Sequence, residues 1–215
     1  MRIVCLSDTH NRHRQIEVPP GEILIHSGDA TTNGTLDEVK AFAGWFGRLP
    51  HKHKIFVAGN HDWLFQRDPD AASKLLGGGI TYLQDSVAEI DGLKFYGSPW
   101  QPRFYDWAFN LFRGKELAEK WNLIPDDTEI LITHGPPYGI LDEVETPHGS
   151  ASHEGCQDLF ERIKVLVDGG QLKLHVFGHI HGGYGTSEAF GVRFVNASNC
   201  DEGYRVTNSP VVIDL

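Results

Sequence analysis

RIVCLSDTH, EILIHSGDA, HKIFVAGNHD, EILITHGPP and LHVFGHIH are five apolar runs that each stop at Asp, Asn or His. Short runs rich in Val, Ile and Phe, bounded by Gly or polar clusters, read as strands, and unbroken apolarity suits strands covered on both faces. LKFYGS, VRFVNAS and PVVIDL belong to the same class. Amphipathic segments lie between some of these runs. TLDEVKAFAGWFGRLP opens with a capping box, Thr35 with Glu38, carries Val39, Phe42, Trp45 and Phe46 at helical spacing, and stops before Pro50. DPDAASKLLGGG, GKELAEKWNLI and CQDLFERIKVLVDGG are three more helical patterns, the first and last closed by glycines. The order runs βαβαβ, turns strand-rich around residues 80–97 and then returns to alternation. That mixture predicts a layered α/β fold with more than one sheet.

The 215 residues fit a single domain, 1–215, large enough to bury a core without covalent staples. Cys5, Cys156 and Cys200 are odd in number and show no CxxC spacing, so they read as reduced thiols that fill core. The opening MRIVCLSDTH lacks the apolar region of a signal peptide and anything near the roughly 20 apolar residues of a membrane span. A soluble, cytoplasmic protein without membrane contact is the expectation. The formal charge of −10 argues against stable nucleic-acid binding, because neutralising many phosphates takes clustered Lys and Arg. A small phosphorylated ligand remains compatible with it, since metal cations reverse the field within one cleft.

The reactive residues sit at the carboxyl ends of the five runs: Asp8 and His10; Asp29; Asn60, His61 and Asp62; His134; His179 and His181. Each taken alone has a plain explanation. Asp8 and Asn60 serve as turn residues or caps, Asp29 as a turn signal after Gly28, His134 as a loop residue, and His179 with His181 as solvated members of a polar turn. That reading supplies no reason for five strand ends to share metal-ligand chemistry that the other strands lack. Open α/β sheets bind ligands at this edge, so adjacent strands would gather two Asp, one Asn and several His in one cleft. Carboxylate, carboxamide and imidazole donors without thiolate suit divalent manganese, iron, zinc or cobalt, with no choice among them. Two cations about 3.5 to 4 Å apart need a ligand that reaches both, and Asp29 is the candidate.

The ordered blocks Asp8-x-His10, Gly28-Asp29, Gly59-Asn60-His61-Asp62, His134 and Gly178-His179-x-His181 resemble the signature of the calcineurin-like metallophosphoesterases along nearly the whole chain. HGPP, LHVFGHIHGGYG, FVNAS and NSPVVIDL further resemble the small metallophosphoesterase-domain proteins of the brain-type subgroup and their bacterial relatives. The resemblance implies a four-layer α/β/β/α sandwich with two packed mixed sheets. It also implies two divalent metal ions, one held by Asp8, His10, Asp29 and His181, the other by Asp29, Asn60, His134 and His179. The implied activity is hydrolysis of phosphate esters by a hydroxide held between the metals. A phosphodiesterase acting on a cyclic nucleotide or a related small phosphodiester is expected. The alternatives are a phosphomonoesterase or nuclease on the same centre, or a weakly active scaffold that binds nucleotide or metal.

His61 is not needed as a ligand in that scheme and suits a general acid for the departing alkoxide, a role contributing about 10²- to 10⁴-fold. Asp62 would then orient its ring, or cap the following helix. Asn60, His61, Trp100, Arg103 and Trp107 are the candidate substrate contacts. In residues 98–114, Trp100, Phe104, Tyr105 and Trp107 either stack on a nucleobase or pack the loop onto the domain, with Arg103 or Arg113 meeting phosphate. His13 reads as a solvated loop residue, His26 as pointing away from Asp29, His51 and His53 as an exposed basic turn, and His175 as a core position. His148 and His153 lie in the long stretch 135–153 and border either substrate or solvent.

Overall fold

In the computed structural model, which describes residues 1–145 and 149–215, all eight apolar runs contain strands. The chain runs β1 (Arg2–Leu6), β2 (Ile23–His26), α1 (Leu36–Phe46), β3 (His53–Phe56), α2 (Trp63–Arg67), α3 (Pro69–Leu76), β4 (Thr81–Tyr82), β5 (Ser86–Ile90) and β6 (Leu93–Ser98). It continues through β7 (Gln101–Pro102), β8 (Asn110–Leu111), α4 (Lys115–Trp121), β9 (Ile130–Thr133), β10 (Glu143–Glu145), β11 (Ala151–His153) and α5 (Gln157–Asp168). β12 (Leu174–Phe177), β13 (Gly185–Ala189), β14 (Val192–Asn196) and β15 (Val211–Asp214) complete it. One sheet has the order β15-β1-β2-β3-β4, parallel except for β15. The other has the order β13-β14-β12-β9-β6-β5, parallel except at its two edges. β7 with β8 and β10 with β11 form two small ribbons.

Successive strand side chains point to opposite faces, and that alternation builds the layers. Ile3 and Cys5 of β1, with Ile23 and Ile25 of β2, enter the space between the sheets and meet Ile130, Ile132, Leu174 and Val176 of the other sheet. Val4, Leu6 and Leu24 point the other way, against Val39, Phe42 and Phe46 of α1 and Leu76 of α3. On the far side Leu131, Phe177 and Phe194 pack against Leu117 and Trp121 of α4 and Leu159 and Ile163 of α5. The outcome is the expected α/β/β/α sandwich of two mixed sheets. Among the described residues no helix is long and apolar enough to cross a membrane.

α1 begins as its sequence requires: Thr35 Oγ1 accepts from Glu38 N, and the Glu38 carboxylate accepts from Thr35 N at 2.9 Å. Its Phe42 ring is fully buried, 5.1 Å from Phe46 and 4.9 Å from Phe56 between centroids. Phe42→Ala is expected to cost about 3–5 kcal/mol of stability, measured by chemical denaturation, because the helix and sheet cannot fully close the hole. A loss below 1 kcal/mol, on the order of a surface change, would contradict this packing.

Histidines separate by face. His26 and His175 are buried, the first bonded through Nε2 to Thr9 Oγ1 at 3.0 Å and the second to Thr133 Oγ1 at 2.8 Å. Two other readings need correction. His13 is 2% exposed, its ring 4.9 Å from Trp45, because the short turn carrying it folds onto α1. His51 is 3% exposed and bonds the Pro19 carbonyl at 3.0 Å, so of the two histidines in the basic turn His53 is the one left near the surface, paired with Asp91. An imidazole has apolar faces and is easily covered once a neighbouring loop returns over it.

The registers Leu6↔His26 and His26↔Phe56 align the carboxyl ends of β1, β2 and β3. β9 and β12 are likewise in step, and a parallel bridge between Ser7 and Ser198 stitches the two sheets at this edge.

Candidate metal centre

The loops leaving β1, β2 and β12 turn back sharply. Asp8, His10, Asp29 and His179 have φ of 52°, 40°, 54° and 69°, left-handed values that cost a non-glycine residue about 1–2 kcal/mol each. The turns let side chains from five strands meet over the sheet edge. Two glycines make the close approach possible. A Cβ on Gly59 would collide with the Asp29 carboxylate and the His134 ring, and one on Gly178 with the Asp8 carboxylate and the Ser7 hydroxyl. Gly178→Ala is expected to weaken divalent-metal uptake by about 10- to 100-fold in a chelator competition, the effect of disturbing the support of a ligand. Unchanged affinity would mean that Asp8 is not held for a cation.

Asp8 Oδ1 lies 3.2 Å from His181 Nε2, and the same carboxylate accepts from His179 N at 3.0 Å and from Ser198 Oγ at 3.0 Å. His10 Nε2 is 3.3 Å from His181 Nε2 and 3.8 Å from Asp29 Oδ2. Asp29 Oδ2 is also 3.4 Å from His134 Nε2, while its Oδ1 accepts from His61 N at 2.8 Å. Asn60 Oδ1 sits 2.9 Å from His134 Nε2, and the His179 ring is 5.0 Å from that of His134. Among the described residues three sets bring their donor atoms within 4.8 Å of one another: Asp8, His10 and His181; His10, Asp29 and His61; Asp29, His134 and His179.

Three of the rings are fixed from behind. Nδ1 of His61 lies 2.7 Å from the Thr32 carbonyl, that of His134 3.0 Å from the Ser27 carbonyl, and that of His181 2.9 Å from the Asp201 carbonyl. A carbonyl can only accept, so each Nδ1 carries a proton and each Nε2 faces inward, where its lone pair becomes available once that nitrogen is deprotonated, the support pattern of metal-binding imidazoles. Converging lone pairs and carboxylates of this kind fit divalent cations.

The family model for calcineurin-like phosphoesterases matches residues 1–183. Human metallophosphoesterase domain-containing protein 1 is 45% identical over 236 residues, covering 100% of this chain and 71% of its own length. The chain belongs to the calcineurin-like phosphoesterase family. A UPF0046 protein of Caenorhabditis elegans is 37% identical over 99% of this chain and 74% of its own. A solved protein of unknown function from Aquifex aeolicus aligns over 98% of this chain and 95% of its own, at 16% identity and a TM-score of 0.41.

Charge within this phosphoesterase is balanced by protons on the imidazoles when no metal is bound. Burial opposes ionisation of Asp8 and Asp29, yet His181 holds the first well below the usual carboxylate range, and His134 with His61 lowers the second. Burial likewise opposes protonation of His134 and His181, but Asp29 raises the former to about 9 and Asp8 the latter to about 9. His10 and His179, governed by burial, fall to about 4 and about 3. Both raised imidazoles stand above their ordinary value of 6.5, so their contribution to the metal-free fold is complete below that pH and is lost as pH rises through about 9. The melting temperature of metal-free protein should therefore fall across this window, and metal loading at neutral pH should release protons. A flat melting profile with no proton release would contradict it.

Asp62 has a different task from the two read in its sequence. Its carboxylate accepts from Gly59 N at 2.8 Å, Thr31 N at 3.0 Å, Thr31 Oγ1 at 2.7 Å and Ala30 N at 3.3 Å, rather than from the His61 ring or the first turn of α2. It ties the Asp29 loop to the Asn60 loop. Burial, then the charge of Asp29, pushes it up to about 6.

A cleft of about 570 Å³ opens over the cluster, walled further by Arg103, Phe104, Trp107, Glu145 and Tyr204. Asn60 and His61 line it; Trp100 does not. The Trp100 Nε1–H donates to Asp85 at 2.8 Å, and its ring packs on Phe109 beneath Lys120, so it anchors the loop. Arg113 spends its guanidinium on the Gly155 and Glu154 carbonyls, at 2.7 and 2.8 Å. Tyr105 is exposed, and His153 is bonded to Asp142 at 2.7 Å rather than turned into the cleft. His148 lies outside the described residues. Sequence reading missed Tyr204, edge-on at 4.7 Å from His10, and Ser198 on Asp8. Ser198 had a signal, since VRFVNAS is another apolar strand with a polar end; Tyr204 had none.

Proposed function

We propose that this phosphoesterase holds one divalent cation on Asp8, His10, Asp29 and His181 and a second on Asp29, Asn60, His134 and His179, and that it hydrolyses a small phosphodiester such as a cyclic nucleotide. The observation that supports this most is the convergence on Asp29 of the His134 and His61 Nε2 atoms, whose Nδ1–H groups point away into the Ser27 and Thr32 carbonyls, with His181 presented to Asp8 in the same way. Bound there, two divalent ions, manganese, iron, zinc or cobalt, would polarise the phosphoryl group and supply a nucleophile from water. The remaining work falls to the chain, as one domain over 1–215.

His61 faces the cleft with Nδ1–H on Thr32, so a proton on Nε2 is aimed at the leaving oxygen. As the bond from phosphorus to that oxygen breaks, its electron pair stays on the oxygen and the Nε2 proton joins it; His61 is left neutral and is reprotonated from solvent. Arg103, exposed at the mouth, meets a non-bridging phosphate oxygen, and Phe104 borders the organic group. Glu145, Glu154 and Glu202 also line the cleft and repel a polyanion, which weighs against a nuclease. Three buried free thiols suit a reducing, cytoplasmic setting.

The test is turnover by manganese-loaded protein. Bis-p-nitrophenyl phosphate should be cleaved faster than p-nitrophenyl phosphate, and Asn60→Ala should abolish the reaction. Preference for the monoester would make the protein a phosphomonoesterase; no turnover with tight nucleotide binding would make it a scaffold.

A further inference from the structure

We infer that Trp107 is a positioning residue for His61, holding the imidazole so that Nε2 stays aimed at the departing oxygen; this rests on the reading of His61 as the acid. The Trp107 ring lies against that of His61 with centroids 4.1 Å apart and planes at 35°. The contact comes from two loops locked together. Ala108 N donates to the Asn60 carbonyl at 3.1 Å and Phe109 N to Gln66 Oε1 at 3.0 Å, while Ala108 and Phe109 are fully buried in the core beside α1. Trp107 is therefore delivered to the residue after Asn60 by its own backbone.

The hydrogen bond from Nδ1 to the Thr32 carbonyl anchors one edge of the ring without setting its tilt, because the terminal torsion of histidine has a broad minimum. The His10 ring, perpendicular at 4.8 Å, restrains it on one contact. Trp107 supplies a flat wall on its face, and ring stacking of this kind adds to area burial. An indole occupied in this way acts on the reaction through His61, and its effect should follow the need for a proton. That need is greatest when the leaving group is strongly basic.

The experiment compares diphenyl phosphate with bis-p-nitrophenyl phosphate, whose leaving phenolate is far less basic. In His61→Ala the kcat ratio of the nitrophenyl to the phenyl substrate should widen by about 100-fold. Trp107→Leu, which keeps bulk without a ring, should widen it by about 10-fold with KM little changed, as expected for a misaimed catalytic group. Trp107→Phe should restore the wild-type ratio. A second readout needs no turnover: the His61 Nδ1 proton, assigned by its absence in His61→Ala, should give a slowly exchanging NMR signal in wild type and Trp107→Phe and lose it in Trp107→Leu.

A raised KM at constant ratio would make Trp107 a substrate wall, and an equal loss on both substrates would make it structural; either overturns the inference while leaving His61 as the acid. An NMR signal unchanged in Trp107→Leu overturns it too. If His61→Ala itself leaves the ratio unaltered, the acid reading fails and the inference falls with it.

Discussion

Asp29→Asn is expected to reduce bound metal from two ions to one or fewer and to remove nearly all turnover. Asp29 belongs to two of the three clustered donor sets, one with His10 and one with His134 and His179. Its two oxygens face different neighbours: Oδ1 receives the His61 amide at 2.8 Å, and Oδ2 lies 3.4 Å from His134 and 3.8 Å from His10. Asparagine has the same shape. It keeps an acceptor for the His61 amide but removes one negative charge and turns an amide NH2 toward the place where the proposed cations would be neutralised. In the proposed two-cation centre, loss of a charge shared by both ions and worth several kcal/mol would correspond to about 10³-fold or more in kcat/KM. Elemental analysis and steady-state kinetics on the same preparation read both effects. A variant with two metals and normal kinetics would remove Asp29 from the centre.

His61→Ala should behave in the opposite way with respect to metal. It should keep both ions and lose about 10²- to 10⁴-fold in turnover of an unactivated phosphodiester. The distinction matters because His61 also stands near the ligands: its Nε2 is 4.0 Å from Asp29 Oδ2, and it forms a donor set with His10 and Asp29. Its Nδ1 is fixed on Thr32 and its face on Trp107, so the ring is held in place by protein. A held, cleft-facing imidazole is suited to donating a proton in the proposed reaction. Retained metal with lost turnover supports that role. Parallel loss of metal would make His61 a ligand, and unchanged kinetics would exclude it from the reaction.

The strands were legible because burial on two faces writes itself as uninterrupted apolar sequence, and α1 because Thr35 and Glu38 spell its start. The convergence of Asp8, His10, Asp29, Asn60, His134, His179 and His181 was legible from their common position at strand ends. What stayed hidden were contacts between loops far apart in the chain. Nothing local to His61 announces Trp107, 46 positions away, and nothing around His51 announces Pro19. Asp62 reads as a cap because Asp before an apolar turn usually is one, yet here the Asp29 loop offers its carboxylate three donors and Gly59 N a fourth. The left-handed turns at Asp8, His10, Asp29 and His179 were unreadable too, since they run against residue preference and persist because the packed site holds them. α2, β4 and the two small ribbons are too short to show a period.

Anomalous scattering from crystals grown with manganese tests the metal centre most directly. Two peaks about 3.5 to 4 Å apart are expected astride Asp29, one beside Asp8, His10 and His181 and the other beside Asn60, His134 and His179. A lone peak, or peaks outside this cluster, would contradict the shared two-cation site on which the proposed chemistry depends.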